Sequence, residues 1–358
     1  MTRMTLPGLT DVHVHLRQPG GEQKETYATG TAAALAGGVT TVLDMPNTSP
    51  PTSDGATLEA KQRLAQAGAR CDVGLYLGAT IDNMDRVGAW APFACGMKIY
   101  VSATFGPLRV ADWALLDAHV ANWPAERPIA VHAEGDLLPG MLRLGRRYGR
   151  HIHVAHVSLR QEIEAVVEAK MRGVRVSCEV TPHHLLLTAG DLPRLGPFGD
   201  VRPRLASPDD RAALWDHLDA VDCIATDHAP HTVEEKRGPE PPPGLPGVQT
   251  MLPLLLTAVD DGRLTVERVR ELCVENPARI FGLVPQPDTS VEVEIGPRYT
   301  LRNEDQLTKC GWTPFAGVEV AGRVLRTVLR GRTVWDGEKV TAQPGSGRVL
   351  WPVQTSTT

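Results

Sequence analysis

The chain reads as an α/β protein, a (β/α)8 TIM barrel carrying a small β-rich appendage made from its C-terminal segment. Three observations support this. Short apolar runs alternate with segments of helical period over most of the sequence, eight such runs occur, and histidines gather at their ends.

The expected strands cover residues 9–15, 40–45, 73–78, 96–101, 129–132, 151–156, 174–180 and 223–227. Helix starts are legible between them: Asp54 ahead of 57–67, Ser158 with Gln161 as a capping box, and Ser207-Pro208 with Asp210. Gly37-Gly38, Gly68 and Gly173 mark helix ends shortly before strands.

After Asn276-Pro277-Ala278 the period changes, and 291–295, 318–320 and 324–334 read as short antiparallel strands, with Asp336-Gly337 as a turn. The expected organisation is a short N-terminal segment, 1–8, joining the appendage, a barrel over 9–285, and the appendage with a linker-like tail over 286–358. The stretches 343–347 and 355–358 suggest a domain excised from a longer polypeptide.

A length of 358 residues fits one barrel of about 250 residues plus the appendage. A net charge of -5 provides no basic surface for phosphates, so nucleic acid is not an expected partner. Six dispersed cysteines without a C-x-x-C pair indicate buried thiols in a reducing compartment. No apolar run long enough for a membrane span and no signal-like N-terminus is present, which sets the expectation of a cytoplasmic protein.

Ten of the twelve histidines fall in five clusters: His13/His15, His132, His151/His153/His156, His183/His184 and His228/His231. Strand C-terminal ends assemble the active site of such barrels, so these side chains converge on one mouth. In His13-Val14-His15 the strand period puts both imidazoles on one side, where one cation could take them; two satisfied core histidines would give the same pattern. Lys98 is one of only seven lysines and lies in an apolar strand. An ion pair or snorkelling would account for it, as would reaction of the neutral amine with carbon dioxide to a metal-bridging carbamate.

His132 and His156 each end a strand and could supply a second metal. His153 is three residues before His156, on the opposite face if the strand continues, and is assigned a supporting role. Asp227 ends the eighth strand, as a metal ligand and proton acceptor or as a helix N-cap. The Pro/Gly-rich stretch 231–247 suggests a loop enclosing a substrate. Four imidazoles, one carboxylate and one carbamate suit two Zn2+ ions sharing a hydroxide, and exceed the two histidines and one carboxylate of a non-haem Fe(II) oxygenase.

In this order, Asp11-Val-His-Val-His-Leu-Arg17, Met45-Pro-Asn-Thr48, Gly96-Met-Lys-Ile-Tyr100, Val131-His-Ala-Glu134, Cys178-Glu-Val-Thr-Pro-His-His184 and Thr226-Asp-His-Ala-Pro-His231 resemble the amidohydrolase superfamily, and within it dihydroorotase. The likeness spans nearly the whole chain. It is greatest to the dihydroorotase domain of the animal-type multifunctional pyrimidine-synthesis protein, whose Pro-Pro-Pro-Gly loop is similar to 241–244 here.

The resemblance implies zinc-dependent, reversible cyclisation of N-carbamoyl-L-aspartate to (S)-dihydroorotate in pyrimidine biosynthesis. His13, His15 and Asp227 would hold one zinc, His132 and His156 the other, and carboxylated Lys98 would bridge them, with Asp227 as general acid/base. Arg17, Asn47 and His231 match positions that bind the substrate carboxylate; Arg202 and the backbone of Pro243 and Gly244 match further contacts. Thr104 and Phe105 match a loop that closes over the ligand, although the residues around them depart from the family pattern. His153, Glu179 and His184 stand behind these residues. A homodimer and covalently linked carbamoyl-phosphate synthetase and aspartate transcarbamoylase domains are also implied. The rival readings are a hydantoinase or allantoinase, which would need no carboxylate-binding set, and a non-catalytic dihydroorotase-like scaffold, which would lack metal ligands.

Overall fold

The structure, a computed structural model, describes residues 1–104 and 106–351. Its strands are β1 (Thr2–Pro7), β2 (Leu9–Val14), β3 (Val39–Asp44), β4 (Asp72–Gly78), β5 (Gly96–Tyr100), β6 (Ile129–His132), β7 (Ile152–Val154), β8 (Val176–Val180), β9 (Cys223–Ile224), β10 (Ser290–Thr300), β11 (Glu319–Leu329) and β12 (Arg332–Trp335). Strands β2 to β9 pair in sequence order as an eight-stranded parallel sheet with helices between them, which is the expected barrel. Every residue of β2 to β9 is buried, as required when helices cover the outside and packed side chains fill the inside.

The ring closes between β9 and β2 largely through side chains. Asp11 Oδ1 accepts from the Thr226 amide (3.0 Å), Asp11 Oδ2 accepts from the Thr226 hydroxyl, and His15 N donates to His228 O (2.8 Å). At the opposite end, Phe281 of the helix Asn276–Phe281 plugs the barrel, its ring edge-on to Tyr76 and His153 at 6.0 and 5.2 Å.

The second sheet is antiparallel in the order β1-β10-β11-β12. Residues 318–320 and 324–334, expected as two strands, are divided differently: the single bulged strand β11 runs through the expected gap, and a turn at Arg330-Gly331, with Arg330 at φ 51°, splits the expected second strand and separates β11 from β12. Asp336-Gly337 makes the expected turn, with Asp336 Oδ1 accepting from the Glu338 and Lys339 amides, and it joins the end of β12 to an antiparallel bridge between Trp335 and Val340. The tail differs from a linker where it is described: Gly345 and Gly347 donate to Ala69 O, and Val73 and Leu350 exchange bonds with Arg348 and Val73 at the barrel base. Residues 355–358 lie outside the described residues.

Asp54 and Ser207 cap their helices through their side chains, as expected. The helix Arg160–Met171 starts differently: the carboxylate of Glu162, not Gln161, takes the amides of Ser158 and Leu159, and also that of Gly135. A carboxylate accepts such bonds more strongly than a neutral amide oxygen. All six cysteines are buried and free. Among the described residues no helix is long and apolar enough to cross a membrane.

Candidate metal and substrate site

The strands end just short of several side chains they aim. β2 stops at Val14, β7 at Val154 and β9 at Ile224, so His15, His156 and Asp227 sit on the turns beyond. Among the described residues five non-glycine residues have positive φ, and three of them are Arg17 (64°), His156 (36°) and Asp227 (47°). Such strained turns concentrate where a fold over-determines a functional geometry. The turn after Val154 also explains how His153 and His156, three residues apart, both serve this region: His156 faces the mouth while His153 remains inside the barrel. His151 is the exception among the clustered histidines, because it precedes β7 and contacts Ser177 Oγ at 2.8 Å towards the barrel base.

His13 and His15 are buried, with ring centroids 5.3 Å apart. Nδ1–H of His13 donates to Glu179, and Nδ1–H of His15 donates to Asn47 Oδ1 (2.6 Å). The Nε2 lone pairs therefore remain, and both point at Asp227 Oδ1, from 3.3 and 2.9 Å. Burial draws the His15 imidazole down to about 4, so it is neutral near pH 7. Burial alone would raise the Asp227 carboxyl, but His13 and the other imidazoles outweigh it and hold the group well below the usual carboxylate range. Imidazole Nε2 atoms converging on a carboxylate oxygen, with each outer nitrogen fixed by an acceptor, form the donor set of a cation.

His156 lies against this set: His13, His156 and Asp227 offer ligand atoms all within 4.8 Å of one another, a group that could hold a metal ion. His132 adjoins His156, ring centroids 4.5 Å apart, and its Nε2 meets Glu134 Oε1 at 3.1 Å. Burial lowers both imidazoles, that of His156 well below its usual value.

The Lys98 side chain is 0% exposed and, among the described residues, its Nζ has no hydrogen-bond or ion-pair partner, which fits neither snorkelling nor a salt bridge. Burial pulls the amine down to about 8, which makes the neutral form accessible. An orphaned buried amine beside the imidazoles is what a carboxylated, metal-bridging lysine would look like before modification.

The N-cap alternative for Asp227 also fails, since the next helix, Val233–Arg237, is capped by Thr232. Glu179 joins two histidines, His13 on one oxygen and His153 Nε2 on the other (3.0 Å). His184 takes Thr181 Oγ1 (2.9 Å) and Pro203 O (3.2 Å), anchoring the segment that carries Arg202.

Arg17, Asn47, Thr104, Arg202, Pro243 and Gly244 line the same mouth. Arg17 Nε donates to Pro230 O (3.1 Å), and Arg202 pairs with Asp200. His231 stands behind this wall, 3.1 Å from Arg17 Nη2 and 3.0 Å from Pro243 O. Gly244 has φ +143°, and a Cβ there would meet Ala229 O at 2.4 Å, so only glycine allows the backbone this close. Phe105 lies outside the described residues.

Tyr100 was not among the sequence candidates. Its hydroxyl is buried with no partner among the described residues, it lines the mouth, and its ring centroid is 5.2 Å from Lys98 Nζ. Its position two residues beyond Lys98 on β5 was the available signal, because strand alternation puts both on one face. His183, one of the clustered histidines, received no individual role from the sequence; its buried Nε2 has no partner among the described residues.

The barrel, the buried histidine–aspartate cluster and the cationic mouth define a metal-site hydrolase-type barrel. Residues 2–92 match the family model described as dihydro-orotase-like. The multifunctional protein pyr1-3 of Dictyostelium discoideum is 49% identical over 96% of this chain, and the chain spans only 16% of that protein's length. The dihydroorotase of Halobacterium salinarum is 36% identical, with 95% of this chain and 88% of that protein covered. Among solved structures, L-hydantoinase from Arthrobacter aurescens superposes with a TM-score of 0.93 at 26% identity, covering 97% of this chain and 88% of that one. The inactive dihydroorotase-like domain of a Chaetomium thermophilum CAD-like protein gives 0.82 at 27% identity, covering 98% and 100%. The chain belongs to the dihydroorotase family.

Proposed function

We propose that this chain is a dihydroorotase, interconverting N-carbamoyl-L-aspartate and (S)-dihydroorotate for pyrimidine synthesis. The observation that carries the reading is the convergence of His13 and His15 Nε2 on Asp227, beside an unpartnered Lys98 amine and the Arg17–Asn47 mouth.

His13, His15 and Asp227 would hold one Zn2+, His132 and His156 a second, and Lys98, carboxylated, would lie between them. When bound, the ions supply an activated water and polarise the amide carbonyl. Asp227, kept ionised, takes a proton at a carboxylate oxygen and returns it to the ring nitrogen. Glu179 and Asn47 hold the His13 and His15 rings so that Nε2 faces inward. Arg17 and the Asn47 amide would bind the substrate carboxylate, with Arg202, His231 and the backbone of Pro243 and Gly244 around the ring and Thr104 and Phe105 covering it.

The likeness to L-hydantoinase favours a second reading, a cyclic-amide hydrolase for apolar substrates, but a buried guanidinium at the mouth suits an anionic one. The likeness to an inactive domain prompts a scaffold reading, which the complete set of six ligand side chains opposes. The share of the multifunctional relatives that this chain covers supports its placement as one domain of a longer cytoplasmic polypeptide, linked to carbamoyl-phosphate synthetase and aspartate transcarbamoylase domains and paired as a homodimer.

Arg17→Met tests the substrate assignment. Losing a charged bidentate contact is expected to reduce kcat/KM for dihydroorotate by roughly 100-fold, about 3 kcal/mol, with zinc content unchanged. Near-normal kinetics would overturn the role of Arg17 and the dicarboxylate reading with it.

A further inference from the structure

Lys236 is the third fully buried lysine of the chain, at 0% exposure, and it differs from Lys61, which has an aspartate partner. Among the described residues no carboxylate lies within ion-pair distance of its Nζ. The ammonium donates instead to two backbone carbonyls, Pro242 O at 2.9 Å and Asp200 O at 3.2 Å. Its remaining side is covered by the indole of Trp312, whose ring centroid is 5.8 Å away.

Those two carbonyls belong to two neighbouring segments that line the mouth. One is next to Pro243 and Gly244, the other two residues before Arg202, and Gly244 N donates to the same Asp200 O (2.9 Å). Trp312 comes from the segment between β10 and β11, far along the chain. It is 3% exposed, its Nε1–H donates to His231 O (2.8 Å), and Phe198 packs edge-on against its ring at 5.0 Å. A buried charge is costly unless every donor is satisfied, and here the satisfaction is provided by the backbone that shapes the site.

We propose that Lys236 and Trp312 are positioning residues of the substrate mouth: they fix the Arg202 and Pro243–Gly244 walls and His231 relative to one another, and so set substrate affinity without touching the reacting atoms. The inference rests on the dihydroorotase reading. Through Trp312 the segment that follows β10 becomes part of the machinery that recognises the substrate.

The test uses the zinc-loaded chain with Lys236→Met, which keeps the apolar stem, and Trp312→Phe, which keeps a ring but loses the bond to His231. Lys170→Met is the control, a lysine bonded to Ala220 O and Asp222 beside the start of β9. In both mouth variants KM for dihydroorotate is expected to rise about tenfold while kcat changes less than about threefold, with zinc content and the control unaffected. Trp312→Phe carries the test if Lys236→Met does not fold. An unchanged KM in folded variants overturns the inference, and so does a loss of kcat together with zinc. Absence of dihydroorotate turnover by the wild-type chain overturns the underlying reading and this inference together, an outcome distinct from active wild type with unaltered variants.

Discussion

Nδ1 of His132 lies 2.7 Å from Nε2 of His156, two imidazole nitrogens face to face across the ends of neighbouring strands. The two rings share a hydrogen bond, His132 Nε2 is directed at Glu134, and burial lowers both imidazoles, so the pair offers two neutral ring nitrogens to a cation that would replace the shared proton. His156→Ala is expected to lower bound zinc from about two ions to about one and turnover by on the order of a thousandfold, roughly 4 kcal/mol. Elemental analysis beside steady-state kinetics checks this; two retained ions would exclude His156 as a ligand.

Asp44 and Lys61 form an ion pair 3.0 Å long with both side chains 0% exposed. Asp44 also accepts from Leu16 N (2.9 Å) and the Tyr27 hydroxyl (2.8 Å), tying the turn that bears His15 and Arg17 to the end of β3 that leads to Asn47. Lys61→Met leaves a buried carboxylate without its cation and should destabilise the fold by about 3–5 kcal/mol, while Asp44→Asn combined with Lys61→Met should recover much of the loss. Urea unfolding of the single and double variants decides it; an additive double variant would show the pair is uncoupled.

Glu25 is 0% exposed and connects distant parts of the chain, accepting from the Thr29 and Thr308 hydroxyls and the Lys309 amide, with His228 Nε2 at 3.4 Å. Burial acts to raise its carboxyl, but His228 and the hydroxyls outweigh it and hold the group below its ordinary value of 4.5. A depressed folded value means stability that is present above the unfolded value and lost as pH falls through the folded one. Glu25→Gln should therefore cost about 1.5–3 kcal/mol near neutrality, and its deficit against wild type should shrink in acid. A deficit that grows on acidification would contradict the assignment.

The features legible in the sequence were local. The alternation of strands and helices and the two-residue period at His13 and His15 needed no tertiary information, and the positions of Lys98 within its strand and of His132 and Asp227 at or just past strand ends followed from them. The period rule left His153 and His156 unresolved because it cannot show where a strand stops, and the positive φ of His156 makes the turn. Glu162 was missed for Gln161 by one residue, since its partners include Gly135, 27 residues away. Glu25 and Thr308 are 283 residues apart and meet only after the appendage packs on the barrel. Asp44–Lys61 and Lys236–Trp312 were concealed as well, because the members of each pair meet only in the folded chain and share no motif.

The most direct measurement is turnover by the zinc-loaded chain of (S)-dihydroorotate beside hydantoin bearing an apolar substituent, with mass analysis of Lys98 on the same sample. The account predicts hydrolysis of dihydroorotate, a preference for it of at least about 100-fold, and the added mass of one carbon dioxide on Lys98. No turnover of dihydroorotate, or equal turnover of the apolar hydantoin, would contradict it.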